Sequence, residues 1–194
     1  MEQEDNDKAQ KIQIIAFVTN EKSHPPNDII SSFYLNKRTH FLIKRSKEIL
    51  AFSTVFPDQK KTTKIMLCTL VDLNMEYEGI KDVNCYLIFV DLQKETSKEK
   101  LEEILTYFNS YCNVSKKIFI LGLKEKKEET GIKISEDEID QRINDLDYDY
   151  FELNLDNDTD ATKIIADIFN YCSKNSDTET NIRNVNNAHS CSIY

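Results

Sequence analysis

The sequence predicts an α/β protein, a three-layer sandwich around a mostly parallel six-stranded sheet. Short, almost continuous apolar runs recur along the 194 residues, as in 11–18 (KIQIIAFV), 83–91 (VNCYLIFVD) and 117–122 (KIFILG). Such runs suit strands buried on both faces. Segments with helical spacing of apolar residues stand between them, and this alternation is the signature of an α/β sandwich. Only three glycines and three prolines occur, too few for a turn-dense all-β fold.

Taken in order, residues 1–10 read as a disordered acidic arm and 11–18 as the first buried strand. Residues 27–35 (NDIISSFYL) form a short helix, with Asn27 as its cap and Pro25-Pro26 stiffening the approach. Residues 40–44 and 48–54 alternate like a strand pair, turned through Arg45, Ser46 and Lys47. Residues 64–72 (KIMLCTLVD) and 83–91 are two more strands. Thr96-x-x-Glu99 has the form of a capping box, and Leu101, Ile104, Leu105, Phe108 and Cys112 then follow at helical spacing. Residues 117–122 are a further strand. Ser135-x-x-Glu138 opens a helix that buries Ile139, Ile143 and Leu146. Residues 150–153 make the last strand, and 161–172 a final helix with Ile164, Ile165, Ile168 and Phe169 clustered. The domain thus spans 11–173, and the polar residues 174–194 read as a flexible tail. Right-handed crossovers put helices on both faces. Ligands in such folds bind at the carboxyl ends of the strands, here just after Val18 and around Asp72, Asp91 and Gly122.

Composition narrows the function. A formal net charge of −9 opposes binding to nucleic acid, whose phosphates this surface repels. No apolar run approaches the roughly 18–20 residues of a membrane span. Residues 1–10 have neither secretory nor mitochondrial character, so the expected location is the cytoplasm. The five cysteines, Cys68, Cys85, Cys112, Cys172 and Cys191, are scattered and odd in number, which fits reduced, core-filling thiols. No Cys/His cluster has zinc spacing, and no metal site is expected. The acidic stretch from Asp147 to Asp160 lacks the spacing, central glycine and terminal glutamate of a calcium loop and reads as solvated. His24, His40 and His189 are far apart, no nucleophile elbow is present, and no catalytic residue is assigned.

The segment after the first strand reads Ala16-Phe17-Val18-Thr19-Asn20-Glu21-Lys22-Ser23. A phosphate loop, G-x-x-x-x-G-K-[ST], uses its glycines to curl backbone N–H groups around phosphate, its lysine to neutralise charge and its hydroxyl to hold magnesium. Lys22-Ser23 stands at the matching distance, but Ala16 and Glu21 replace both glycines. A carboxylate about 4 Å from a phosphate costs several kcal/mol, since one unit-charge pair is worth roughly 4 at a moderate effective dielectric. Pro25-Pro26 also intrudes where a helix N-terminus should face the phosphate.

Over about residues 11–173 this pattern resembles a Ras/Rab-like small GTPase that is degenerate at every nucleotide motif. Lys22 and Ser23 match the end of the phosphate loop. Asp72-Leu73-Asn74-Met75-Glu76 stands where the family carries D-x-x-G-Q; Asp72 matches the magnesium-associated Asp, while Met75 and Glu76 replace the glycine and glutamine. In Leu123-Lys124-Glu125-Lys126, where N-K-x-D reads guanine, only Lys124 matches, and Lys126 reverses the charge of the base-pairing Asp. Asn154-Leu155-Asp156 replaces S-A-K. Ten residues, Leu73 to Asp82, leave room for only a shortened switch II region. The resemblance implies a Ras-like P-loop topology and a vestigial nucleotide site of Lys22, Ser23, Asp72 and Lys124.

Loss of binding, base recognition and hydrolysis together is the mark of the family's pseudo-GTPases, scaffolds that bind partners without a nucleotide cycle. Among them the chain looks like the alpha- and gamma-adaptin-binding protein family, whose members assist assembly of clathrin adaptor complexes. The likeness lies in the short loop after strand one, the long helix after Val83–Asp91 and the helix from Thr162 to Asn170. It implies a protein-interaction scaffold in membrane or vesicle trafficking, with a protein partner, no expected cofactor and a partner surface near residues 36–82. Two alternatives stand beside it: a divergent GTPase that keeps weak GTP/GDP and magnesium binding, and an assembly subunit of a larger complex with an exposed apolar patch. The ending Cys191-Ser192-Ile193-Tyr194 loosely fits a prenylation frame at Cys191, with no polybasic second signal, so any direct membrane contact is weak and peripheral.

Overall fold

The structure, a computed structural model, describes residues 10–20, 22, 25–35, 41–46, 48–56, 62–70, 72–74, 76, 77, 79–125, 131–143 and 146–183. The expected alternation is present. The strands are β1 (Gln10–Val18), β2 (Phe41–Arg45), β3 (Ile49–Val55), β4 (Thr62–Thr69), β5 (Cys85–Asp91), β6 (Ile118–Lys124) and β7 (Tyr148–Asn154). The helices are α1 (Pro26–Phe33), α2 (Thr96–Tyr111), α3 (Glu136–Ile143) and α4 (Asp158–Arg183).

Among the described residues the sheet has seven strands, in the order β2-β3-β4-β1-β5-β6-β7, where the sequence reading expects six. Both members of the expected strand pair join it. Ile49 N–H donates to Ser46 Oγ (3.0 Å) and Ser46 N–H to the Ile49 carbonyl (2.7 Å), which closes the hairpin and sets β2 antiparallel to β3 at the edge. β3 runs antiparallel to β4. The other four neighbour pairs are parallel, so the sheet is mixed.

The period of two along each strand divides the core. From β1, β5 and β6, Ile12, Ile14, Ala16, Cys85, Leu87, Phe89, Phe119 and Leu121 face one layer, with Ile29, Ile30 and Phe33 of α1 and Ile165, Ile168 and Phe169 of α4. Their neighbours Ile15, Phe17, Tyr86, Ile88, Val90 and Ile120 face the other, with Leu101, Ile104 and Phe108 of α2 and Ile139 and Ile143 of α3. Tyr34 meets Phe169 edge-on at 5.0 Å between centroids, and Phe52 lies 5.7 Å from Phe169, so one aromatic cluster joins β3 to α4. On the opposite face the Tyr86 hydroxyl donates to the Ile80 carbonyl (2.6 Å) and accepts from the Asn113 N–H (3.0 Å).

Several boundaries differ from expectation. Gln10 belongs to β1 and not to the arm: its amide donates to the Ser173 carbonyl (2.7 Å), and Thr63 Oγ1 donates to its Oε1 (3.1 Å). Residues 1–9 lie outside the described residues. Asn27 does not cap α1. Pro25 holds that position with Pro26 inside the first turn, where a missing N–H costs nothing, and Asn27 Nδ2 donates instead to the Ser46 carbonyl (2.9 Å). The Thr96-x-x-Glu99 box does not close, since Glu95 precedes the helix and makes no side-chain cap. The Ser135-x-x-Glu138 box does: Ser135 N–H donates to Glu138 Oε2 (3.0 Å) and Glu138 N–H to Ser135 Oγ (3.3 Å). α4 runs on to Arg183, into the expected tail, because a helix nucleated by docked residues adds polar turns at little cost. Residues 184–194 lie outside the described residues. No helix among the described residues is long and apolar enough to cross a membrane.

Candidate functional site

The parallel topology gathers the ends of β1, β5 and β6 at one edge, and there the chain bonds to itself. Thr19, the first residue after β1, donates its N–H to the Phe89 carbonyl (3.0 Å) and its hydroxyl to Ser97 Oγ (3.0 Å) in the first turn of α2. The same hydroxyl accepts the Asp91 N–H (3.0 Å). Asn20 Nδ2 donates to Asp91 Oδ2 (2.9 Å), and the Gln93 N–H donates to Asp91 Oδ1 (3.1 Å). The Gln93 side chain completes the seam: its Nε2 donates to the Glu125 carbonyl (2.9 Å) and its Oε1 accepts the Glu125 N–H (2.7 Å). Asp91 is 2 % exposed, so its carboxylate is held by these donors and not by water.

Gly122 on β6 belongs to the same edge. A Cβ there would stand 2.6 Å from the Tyr150 hydroxyl and 2.9 Å from Leu92 Cδ1. Its role is to admit Tyr150 of β7 and Leu92 close to the backbone.

Of the four sequence-derived nucleotide-site residues, the structure describes Lys22, Asp72 and Lys124. Lys22 is exposed in a turn. Ser23 lies outside the described residues, as do Glu21 and Lys126. Asp72 falls beyond the end of β4 and is exposed; its Oδ1 accepts the backbone N–H and the side-chain amide of Asn74, both at 2.9 Å, which closes a local turn. Lys124 ends β6 and pairs with Glu152 on β7, two places from its register partner Asn154. Cys191 lies outside the described residues. No group of three or more metal-ligating side chains is present among the described residues.

Between β4 and β5, a shallow cleft of about 410 Å³ is lined by Glu76, Tyr77 and Gly79–Asp82. Gly79 takes a left-handed conformation (φ 77°) and leads into a single 3-10 turn, Ile80–Asp82. That turn is the one helical piece among the described residues of this connection.

The seam of Thr19, Asn20, Asp91, Gln93, Ser97 and Glu125 is what sequence reasoning missed as a unit. Its available signal was positional, since Asp91 and Asn20 both follow apolar strands. No family model matches the chain, and no curated protein does.

Proposed function

We propose that the chain is a Ras-like pseudo-GTPase, a protein-interaction scaffold acting in membrane or vesicle trafficking without nucleotide hydrolysis. One observation carries the reading. The edge where an α/β protein of this order would hold a nucleotide is occupied by its own hydrogen bonds, from Thr19 to Ser97 and from Asn20 through Asp91 and Gln93 to Glu125. Lys124, the position matching the guanine-reading motif, is engaged by Glu152. An antiparallel strand pair on an otherwise parallel sheet, and a β4–β5 connection whose described residues hold one 3-10 turn, are in keeping with a Ras-like topology and a shortened switch II region.

A protein partner is the second half of the proposal, and adaptor assembly is one setting for it. Among the described residues β2 is paired on one side only, the position of an edge strand with open N–H and C=O groups. Leu42 and Ile43 on it are each 56 % exposed, and Val55 at the end of β3 is 59 % exposed. An edge strand with bare apolar side chains suits a partner that adds a strand. This edge lies within residues 36–82. The same observation favours an assembly subunit of a larger complex as the second reading. Association with a membrane then runs through the partner, at its cytoplasmic face.

The test is thermal unfolding of the purified chain with GTP, GDP and ATP plus magnesium. A ligand at 100 times its dissociation constant stabilises by about 2.7 kcal/mol, which raises Tm by about 5–10 °C in a domain of this size. The expected result is no shift with any of the three. A magnesium-dependent shift with guanine nucleotides that Lys22→Ala abolishes would overturn the proposal in favour of a divergent GTPase.

A further inference from the structure

We propose that Cys85 and Cys172 form an intramolecular disulfide when the chain meets a peroxide, and that this bond staples α4 to β5. Their Sγ atoms lie 2.7 Å apart. Unbonded heavy atoms pack at roughly 3.5–4.0 Å and a disulfide is about 2.05 Å long, so this pair stands closer to a bond than to a packing contact. Cys85 opens β5 and Cys172 sits on the docked part of α4, 0 % and 1 % exposed. Both belong to the core layer shared with α1. The other two cysteines among the described residues, Cys68 and Cys112, pack in the layer on the opposite face of the sheet. The sheet therefore separates them from the pair, and among the described cysteines each thiol of the pair has one near partner.

The chemistry balances with hydrogen peroxide as the oxidant. One thiol, as its thiolate, attacks a peroxide oxygen; the O–O bond breaks, a sulfenic acid forms and one water leaves. The second thiol attacks the sulfenic sulfur, the S–S bond forms, and a second water leaves. Two thiols supply two electrons and two protons, and one peroxide is reduced to two waters. Burial pushes the Cys85 thiol well above its ordinary range and so keeps it protonated. The step is accordingly slow while α4 is docked and faster when α4 opens from β5.

The bond would close a long loop, since the two cysteines are 87 positions apart. In the chain-entropy account a loop of that length raises Tm by roughly 10 °C for a domain of this size. The experiment uses the full chain in two ways: native protein treated with hydrogen peroxide, and protein refolded from denaturant in a glutathione redox buffer. Each product is digested without reductant and mapped by mass spectrometry. The expected result is a Cys85–Cys172 cross-linked peptide that reductant removes, with a Tm higher than that of the reduced chain. A cross-link formed only on refolding supports the bond and assigns its access to the opened chain. The proposal is overturned if neither route links the two, if Cys68, Cys112 or Cys191 takes either one, or if the linked protein gains no stability. The comparison of oxidised with reduced wild type needs no variant, so it stands even if Cys172→Ala fails to fold.

Discussion

Replacing Asp91 by alanine separates a self-bonded edge from a ligand site. The carboxylate accepts Asn20 Nδ2 at 2.9 Å and the Gln93 N–H at 3.1 Å while almost wholly buried. A hydrogen bond to a charged group contributes about 1.5–3 kcal/mol, so two lost bonds remove about 3–6. Taking a charge out of the interior returns part of that. The net expected loss is about 2–4 kcal/mol. In urea, with a slope of about 2 kcal/mol/M, the midpoint falls by about 1–2 M and the slope is unchanged. Asp91→Asn keeps one acceptor oxygen and should lose about half as much. Residues held for a ligand behave in the opposite way, because their replacement often stabilises an unliganded protein. An Asp91→Ala chain as stable as wild type, or more stable, would refute the reasoning that this edge is bonded for the fold.

Three further outcomes follow from the same geometry. Tyr86→Phe removes a hydroxyl that joins Ile80 to Asn113 across a buried layer and should cost about 2–4 kcal/mol in equilibrium unfolding, since it strands one donor and one acceptor. Gly122→Ala puts a methyl group against the Tyr150 hydroxyl and Leu92 and should cost about 1–3 kcal/mol, visible as a lower Tm; an unchanged Tm would mean that β7 gives way freely. Glu138 is held below the ordinary carboxylate value of 4.5 by the Ser135 N–H first and the Lys98 ammonium second. Its contribution to stability is therefore complete above the unfolded value and lost as pH falls through the lower folded one. An NMR titration of Glu138 should show a midpoint below 4.5 that Lys98→Ala raises; a wild-type midpoint at or above 4.5 would contradict the closed capping box.

The order of elements was legible because the central strands announce themselves as apolar runs and the edge hairpin as an alternation. Residues 14–18 and 85–91 are buried on both faces, and no local competitor disguises them. The ends were less legible, because backbone geometry outranks a capping side chain. Asn27 looks like a cap until Pro26 takes the first helical position, and Thr96 looks like one until it takes that position itself behind Glu95. Ser135 and Glu138 have no such rival, and their box closes. Asp72 was read as a strand end, yet β4 stops at Thr69. The seam at the sheet edge was the least legible part. Thr19 and Ser97 are 78 positions apart and Asn20 and Asp91 are 71 apart, so only the parallel topology brings them together. The motif reading found residues in the order a nucleotide site would need. It had no means of seeing that their neighbours would bond to one another first.

The two edges of interest argue in the same direction for the proposed scaffold. A site for a small anion needs unpaired donors facing one volume. At the ends of β1, β5 and β6, the donors from Thr19, Asn20, Gln93 and Glu125 go instead to acceptors of the same chain. A surface for a protein needs the converse, unpaired backbone along a line with apolar area beside it. Among the described residues β2 pairs on one side only, Leu42 and Ile43 are more than half exposed, and Lys44 and Arg45 follow as the charges that keep an edge from pairing at random. The register slips between Leu42 and Lys44, and such a bulge twists an edge away from self-association without removing its bonding groups. An edge protected against copies of itself but left apolar is suited to one chosen strand. Under the proposed scaffold reading, specificity would lie in backbone and side-chain complementarity along β2, and the ends of the strands would hold the sheet that presents it.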